Sequence, residues 1–572
     1  MSANISSWGN FLAAVRLVPA ETNINDHLFL IHYALRLAAA EGQIDCIQLL
    51  FEKGVNKDAA DDRGWTGLLC AAFAGHLDVV QLFVEQGADK DKDNNNGMSP
   101  LFVAALQGHL DVVRYLAKQG ANKEQANKNG LTPFHVAALN GHLDVTRYFV
   151  EQGADKDKVD NNGWTALLNA ILNNHFPVAQ YLVQEGADKD KATNDGASPL
   201  YIAAQQGHVE FARYLIEQGA DKDKAMNDGR SPLYVAACNG HLKIVHLLVE
   251  QGADKDKIDN NGASPLFIAA HNGHLDVVKL LVEKGADKDR VINNDSNPLL
   301  IAAQNGHLDV VQYLVEQGAD KDKASNIGVC PLFIAAQQGH LRVVQLLVEE
   351  GADKDKANNN GASPLFIAAQ NGHLDVVHYL VEQGATKDKA SNDGASPLFI
   401  AAQHGHLDVV RHLVEQGADM DKARYDGKSP LYIAVQHIRL PVVQYLVERG
   451  ADVNKASTDD FRSTPLHLAV HIGHTDIAVC LMERGMADVN AKNSHGRRPM
   501  DLALNDAMRQ TLVNEEKRRR DHGFKRSVAQ PSPATIAEQE NNGSEEGQGN
   551  GSDDDDDDDD DDSSDDSDDD DT

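Results

Sequence analysis

Apolar positions recur along this chain in two short clusters, and the pair of clusters repeats with a period of 33 residues. In the unit at residues 292–324, the first cluster follows Pro298 and includes the small residues Ala302 and Ala303. The second cluster has the three- and four-residue spacing of one helical face. Its apolar residues are Leu308, Val311, Leu314 and Val315. The pattern predicts two short helices in every unit.

Each predicted helix has a start signal and a stop signal. Pro298 suits the first turn of a helix, where a missing N–H costs nothing, and in most units Ser or Thr precedes this proline as an N-cap. Gly306 and Gly318 follow the two clusters, as expected of glycines that end helices in the left-handed conformation. The second helix is predicted to start near His307–Asp309, because an acidic side chain is favoured at a helix N-terminus.

The strict period determines the predicted domain organisation. Twelve 33-residue units run from Asp61 to Ala456, after an N-terminal segment at 1–27 and a degenerate capping repeat at 28–60. Two irregular capping repeats occupy 457–523, and a tail occupies 524–572. Because helices this short do not persist alone in water, neighbouring units must cover their apolar faces. We therefore expect an all-α repeat solenoid, a curved and elongated rod of helix pairs joined by β-turn or hairpin-like loops.

One unit departs from the pattern at the connection between its helices. Ile438 occupies the slot in which most units have a glycine. A β-branched side chain tolerates a positive φ poorly. We therefore expect unit 424–456 to be locally distorted and to be the least stable part of the solenoid.

A short motif opens the first helix of each unit, and Gly-His precedes the second helix in most units. Residues 132–135 read Thr-Pro-Phe-His and residues 464–467 read Thr-Pro-Leu-His. With the 33-residue period, these motifs resemble the ankyrin-repeat family over about residues 28–523. The resemblance implies tandem helix-turn-helix repeats that bind other proteins through a concave groove. Most units have Phe, Tyr or Leu in place of the motif histidine.

Comparison of the units with one another identifies a candidate protein-binding site. The resemblance implies that the groove is lined by the residue after the turn glycine and by the residues just after the two alanines. Later units have Ala and Gln in these slots, at Ala197 with Gln205, Ala362 with Gln370 and Ala395 with Gln403. Four consecutive units at 61–192 have large apolar residues instead. These are Trp65, Met98, Leu131 and Trp164 in the first slot, and Phe73, Leu106, Leu139 and Leu172 in the second. We expect two parallel rows that bind a partner protein, unless segment 1–60 covers them.

The net charge of −34 is unevenly distributed. From Phe524 to Thr572 there are twenty acidic and two basic residues, a net charge of −18. This composition predicts a disordered acidic tail, which either binds basic partners such as histones or only keeps the chain in solution. Ser552 and Ser567 each have an acidic residue three positions downstream, so they are candidate phosphorylation sites.

A basic cluster precedes the tail. Its residues are Lys517, Arg518, Arg519, Arg520, Lys525 and Arg526. Such a cluster is a candidate nuclear localisation signal, and the alternative is a set of cations favoured at a helix C-terminus. The first interpretation leads to a nuclear regulatory protein, in which the acidic tail binds basic partners and the repeats are the targeting arm.

The chemistry-bearing residues do not form a catalytic pattern. Histidine recurs between the helices, but neighbouring units lie roughly 8–10 Å apart, too far for two nitrogens that must each lie about 2.1 Å from one zinc ion. Runs such as Asp320–Lys323 balance their own charges. The sequence has no Ser/His/Asp constellation, no P-loop and no G-x-G-x-x-G motif. We therefore expect no enzymatic activity, no cofactor and no metal.

The compartment and the kind of partner follow from composition. The five cysteines are scattered and form no C-x-x-C pair, which suits a reducing compartment. The longest apolar stretch, Leu28–Ala40, contains His32 and Arg36, so no membrane span is expected. The acidity argues against direct binding of nucleic acid. We expect a monomeric intracellular protein, cytoplasmic, nuclear or both, that acts as a non-catalytic scaffold or adaptor for partner proteins.

Overall fold

A computed structural model describes residues 28–293 and 295–521. This part of the chain contains fourteen consecutive pairs of short helices, followed by one 3-10 helix and one longer α-helix, and it contains no strand. The helices are α1 (Leu28–Ala40), α2 (Ile44–Glu52), α3 (Gly67–Ala74), α4 (Leu77–Glu85), α5 (Pro100–Gln107), α6 (Leu110–Lys118), α7 (Pro133–Leu139), α8 (Leu143–Glu151), α9 (Ala166–Leu172), α10 (Phe176–Gln184), α11 (Pro199–Gln206), α12 (Val209–Glu217), α13 (Pro232–Cys238), α14 (Leu242–Glu250), α15 (Pro265–Asn272), α16 (Leu275–Glu283), α17 (Pro298–Asn305), α18 (Leu308–Glu316), α19 (Pro331–Gln338), α20 (Leu341–Glu349), α21 (Pro364–Asn371), α22 (Leu374–Glu382), α23 (Pro397–His404), α24 (Leu407–Glu415), α25 (Pro430–Gln436), α26 (Leu440–Glu448), α27 (Pro465–Ile472), α28 (Thr475–Glu483), the 3-10 helix Pro499–Leu502 and α29 (Asp506–Asp521).

The predicted start and stop signals lie at the ends of the helices. Pro298 is the first residue of α17, and the side chain of Asn297 before it accepts a hydrogen bond from the first turn at 2.8 Å. Gly306 ends that helix with φ 75°, and Gly318 follows α18 with φ 77°. The second helix begins at Leu308, within the predicted range. Local sequence signals therefore determine where these helices begin and end.

The helix pairs stack in chain order. Each first helix contacts the first helix of the next pair, and each second helix contacts the next second helix. Ala302 and Ala303 are fully buried where the first helices meet, because only small side chains allow this close approach. Val311 and Leu314 of α18 are buried as predicted. Val310 is buried as well, although the predicted face did not include it. The result is one continuous apolar core through the repeats.

Tight turns join one pair to the next. The backbone N–H of Asn358 donates to the carbonyl of Ala362 at 3.0 Å, and Gly361 N–H donates to the carbonyl of Asn358 at 2.9 Å. The N–H of Asn359 donates to the carbonyl of Ile327 in the preceding turn at 3.1 Å. The turns are therefore hairpin-like, as predicted, and each is bonded to its neighbour.

The expected distortion of unit 424–456 is confined to one residue. Ile438 adopts a φ of 58°, in the left-handed region that the glycines of other units occupy. The helices α25 and α26 on either side of it both form. Arg439 follows in the slot that holds histidine elsewhere, and its Nε donates to the carbonyl of Gln403 at 3.1 Å. The strain therefore lies in the backbone at Ile438, and the unit retains both of its helices.

Candidate protein-binding site

The first predicted row lies on four turns that share one hydrogen-bonding pattern. The N–H of Trp65 donates to Oδ1 of Asp61 at 2.8 Å, and the N–H of Asp61 donates to the carbonyl of Trp65 at 3.0 Å. Trp164 and Asp160 form the same two bonds, also at 2.8 and 3.0 Å. The two remaining turns pair Met98 with Asn94 and Leu131 with Asn127. The four apolar side chains therefore leave the backbone at equivalent places.

Backbone hydrogen bonds connect these four turns to one another. In each case an N–H of one turn donates to a carbonyl of the preceding turn. The bonds run from Asn95 to Arg63 at 3.0 Å, from Lys128 to Asn96 at 3.0 Å and from Asn161 to Asn129 at 3.1 Å. Trp65, Met98, Leu131 and Trp164 consequently follow one another along adjoining turns, each half-buried against the core beneath.

The second predicted row lies at the C-terminal ends of the first helices α3, α5, α7 and α9. Phe73 is 41% exposed and Leu172 is 36% exposed, while Leu106 and Leu139 are half-buried. The rings of Trp65 and Phe73 meet edge to face, with centroids 5.6 Å apart. The two rows are therefore in contact at the first of the four units. We call the eight residues of both rows the N-terminal apolar surface.

The same slots differ in the units that follow. Ala362 and Ala395 occupy the first slot and are buried, and Gln370 occupies the second slot. Single exposed apolar side chains do occur elsewhere, such as Ile327 at 62% and Tyr425 at 78%. What distinguishes the N-terminal apolar surface is its succession through four neighbouring units.

The alternative to an accessible site is that residues 1–60 cover this surface. Helix α1 packs against α3, yet Phe73 at the end of α3 remains 41% exposed. The segment at 1–27 lies outside the described residues. The described part of the capping repeat therefore leaves the surface accessible.

The recurring histidines connect neighbouring repeats. In nine of them, the Nε2–H donates to a backbone carbonyl of the preceding unit at 2.9 to 3.1 Å. These are His76, His109, His142, His241, His274, His307, His340, His373 and His406. The bonds give these side chains a structural role between repeats.

The two motif histidines are buried and bonded at both ring nitrogens. Nδ1 of His135 lies 2.7 Å from Oγ1 of Thr132, and its Nε2–H donates to the carbonyl of Lys158 at 2.9 Å. His467 makes the same bonds, to Thr464 and to the carbonyl of Arg497. Burial lowers the pKa of both histidines, so each is held neutral as part of a helix cap.

The remaining reactive side chains of the described residues are potential metal ligands and thiols. No group of three or more His, Cys, Asp or Glu side chains is placed to hold a metal ion in this part of the chain. The five cysteines are free thiols. Burial raises the pKa of Cys46 and of Cys70 to about 11, which leaves little of the reactive thiolate at neutral pH. None of the described helices has the length and apolar content needed to cross a membrane.

The predicted basic cluster is only partly described. Lys517 and Arg518–Arg520 lie in the last turns of α29. Nε of Arg518 and Nε of Arg519 each lie 2.9 Å from a carboxylate oxygen of Glu515. These ion pairs within one helix suit the alternative of cations at a helix C-terminus. Lys525, Arg526, Ser552, Ser567 and the acidic tail lie outside the described residues.

A pocket that the sequence patterns did not predict lies at the last repeats. Its volume is about 360 Å³ and its walls include Tyr432, Phe461, Leu468 and Arg497. The available signal was the small insertion near Phe461, which interrupts the 33-residue period. A period alone does not show that the extra residues enclose a space.

The family models that match this chain agree with the repeat architecture. A family model described as ankyrin repeats (3 copies) matches residues 35–127, 119–193, 186–259, 251–325, 318–393 and 383–457, and one described as ankyrin repeat matches 462–494. No catalytic domain is found. Among solved structures, the human ASB11 ankyrin repeat domain is 28% identical, with 38% of this chain and 98% of that chain covered and a TM-score of 0.35. No curated protein sequence matches.

Proposed function

The chain belongs to the ankyrin-repeat family, and on that premise we propose that it is a non-catalytic scaffold that binds a partner protein through the N-terminal apolar surface. Ankyrin-repeat arrays are in general protein-interaction modules. The choice of surface rests on one observation, the difference in residue type between the same two slots in units 61–192 and in later units. Large apolar residues occupy eight positions of 61–192. The later regular units have Ala, Ser, Val, Arg or Lys in the first slot and most often Gln in the second.

The energetics of protein interfaces support this surface. Large apolar patches rimmed by polar residues commonly mark interaction sites. Within such patches, tryptophan and other aromatic residues contribute most of the binding energy, and truncation of an anchor to alanine costs about 2 kcal/mol or more. Trp65, Phe73 and Trp164 are the aromatic members of the surface. Asn95, Asn129 and Asn161 on the turns provide a polar rim.

The test replaces the two tryptophan anchors with the residue that later units carry. In the full chain, Trp65→Ala with Trp164→Ala should abolish capture of the partner and leave the helical content unchanged. Alanine is compatible with the turn, because Ala362 and Ala395 occupy the same slot. Pull-down from a cell extract identifies the captured protein, and binding is then measured with that protein in purified form.

The matched control lies in the later units. Gln370→Ala with Gln403→Ala changes the second slot outside the N-terminal apolar surface and should leave capture intact. Phe73→Gln with Leu172→Gln replaces two apolar residues of the second row with the glutamine that most later units have in that slot. This variant should weaken capture. The proposal is wrong if the tryptophan variant captures the same protein with unchanged affinity. It is also wrong if that variant loses helical content, because the tryptophans would then belong to the core.

A further inference from the structure

The pocket at the last repeats is enclosed by a turn longer than the others. Ser457 and Ser463 close this turn, with the N–H of Ser457 donating to the carbonyl of Ser463 at 3.0 Å. Arg462 adopts a φ of 44° within it. Phe461 is raised on this turn, is 60% exposed, and stacks on the ring of His495 with centroids 5.3 Å apart. The insertion therefore provides an aromatic wall that the regular units do not have.

The remaining lining residues are of mixed chemistry, and the charged ones include Arg497 and Asp459. Tyr432, Leu468 and Leu502 line the pocket, and Arg497 lines it together with His495. We call this site the C-terminal pocket. A volume of about 360 Å³ lies at the small end of the range for ligand sites in proteins. It is enough for one large side chain and a polar group attached to it.

The charged groups of the C-terminal pocket are not equally available. Oδ1 of Asp459 accepts hydrogen bonds from Oγ of Ser457 at 2.8 Å and from the N–H of Phe461 at 3.2 Å. That carboxylate therefore holds the turn. The carbonyl of Arg497 is fixed by the Nε2–H of His467 at 3.0 Å. Among the described residues, no acidic side chain lies within 4.0 Å of the Arg497 guanidinium. The pKa of Asp501 is lowered mainly by a hydrogen bond from the Arg498 backbone, and the charge of Arg497 contributes to that shift.

We propose that the C-terminal pocket binds the C-terminal residue of a partner protein, with a large apolar side chain between Phe461 and Leu468 and the terminal carboxylate on Arg497. The exposed guanidinium of Arg497 has no ion pair among the described residues and is available to an anionic group. The pocket has room for about one residue. Within a polypeptide, only the C-terminal residue carries an apolar side chain and a carboxylate on the same Cα atom. Capture of a terminal carboxylate is a known mode of peptide recognition.

The experiment measures peptide binding to the full chain by fluorescence anisotropy. The probe is a fluorescein-labelled peptide of five glycine and serine residues followed by a C-terminal phenylalanine. The free acid should bind, and the same peptide with a C-terminal amide should bind about tenfold more weakly or worse, because it loses a charge-assisted contact. A third peptide carries an internal phenylalanine followed by aspartate and should bind no better than the amide.

Variants of the chain assign the binding to the C-terminal pocket. Arg497→Gln should weaken binding of the free acid about tenfold and leave binding of the amide unchanged. Arg497→Lys keeps the charge and should be intermediate, which provides a second reading if the glutamine variant does not fold. Phe461→Ala removes an exposed wall and should weaken both peptides. Trp65→Ala with Trp164→Ala should have no effect, so this inference and the proposed function can fail separately.

Four results would overturn the inference. The first is equal binding of the acid and the amide, and the second is unchanged binding by both Arg497 variants. The third is the absence of measurable binding by the free acid at millimolar peptide. The fourth is tighter binding of the peptide with the internal phenylalanine and aspartate, because the pocket would then bind a side-chain carboxylate and not a chain terminus.

Discussion

The junctions between neighbouring repeats are of two kinds. In the regular kind, a glycine ends the first helix and the histidine of the next unit lies against it. Gly306 and His340 are an example: a Cβ atom at 306 would lie 2.8 Å from the imidazole, and the Nε2–H of His340 donates to the carbonyl of Gln304 at 2.9 Å. In the other kind, Asn174 or Ile438 replaces the glycine, with φ 62° and 58°.

The histidines that follow the replaced glycines behave differently. The Nε2 atom of His208 is buried without a hydrogen bond of normal length and angle. His474 instead turns to its own helix, where its Nδ1 accepts from the N–H of Ile477 at 3.4 Å. His175 lies against Gly141 without the inter-repeat bond, so glycine permits the contact but does not guarantee it. This glycine therefore leaves space for the histidine of the next repeat, in addition to allowing the positive φ of its own backbone.

The first test, with the largest change in stability, distinguishes the backbone role of this glycine from its packing role. Gly306→Ala should destabilise its repeat by roughly 2–4 kcal/mol, because the methyl group adds a collision with the His340 ring to the cost of a left-handed alanine. Gly318→Ala has the same positive φ but meets nothing within 4 Å, so it should cost only about 1–2 kcal/mol. Opening free energies of the α17 and α18 amides, from hydrogen exchange, measure both. Equal losses would refute the packing role.

The next test repairs an altered junction. Ile438→Gly should stabilise α25 and α26 by about 1–2 kcal/mol, because it removes a β-branched residue from the left-handed region. Asn174→Gly should give a smaller gain, since asparagine tolerates this conformation better than isoleucine. Hydrogen exchange of the two repeats gives the comparison. No gain at Ile438 would mean that the backbone strain is relieved in some other way.

A smaller effect isolates the inter-repeat hydrogen bond. His340→Ala should cost about 1 kcal/mol more than His208→Ala, because only the first histidine makes a well-formed bond to the preceding repeat. Both substitutions remove the same ring, which makes each the control for the other. Hydrogen exchange of α19 and α11 reports the two losses. Equal losses would assign the contribution of histidine to ring packing alone.

The smallest effect concerns the pH dependence of the two repeats that contain buried motif histidines. Burial lowers the pKa of His135 and His467 below the ordinary value of 6.5. The unfolded chain therefore takes up protons at higher pH than the folded chain, so their stabilising contribution is complete above about pH 6.5 and falls as pH drops below it. Exchange rates at pH 7.5 and 5.5, corrected for intrinsic exchange, measure the loss.

The control for this pH effect is present in the chain itself. His135→Phe introduces phenylalanine, which another unit has in the same slot as Phe102. This variant should remove the local pH dependence of α7. Retention of the full pH dependence in that variant would place its source in other groups.

Much of the fold could be predicted from single repeats, but the environment of the candidate site could not. The sequence predicted the slots of Trp65 and Trp164 by comparison between units, and the turns that carry them follow from Asp61 and Asp160, which bond their own backbone. The pocket beside Phe461 depends on side chains distant along the chain, such as Tyr432 and Leu502. The edge-to-face contact of Trp65 with Phe73, eight residues later, depends on the orientation of the two rings. No local pattern encodes these contacts.

The period, the helix pairs and the helix ends follow from the sequence alone. Proline, N-cap and glycine signals act within a few residues of where they occur. The contacts between one repeat and the next are visible only in the tertiary structure. The partner carbonyl of His340 lies 36 residues earlier in the chain, and the constraint on Gly306 comes from a ring 34 residues later. Such contacts arise when short helices cover each other's apolar faces, so they depend on how two repeats stack and not on either repeat alone.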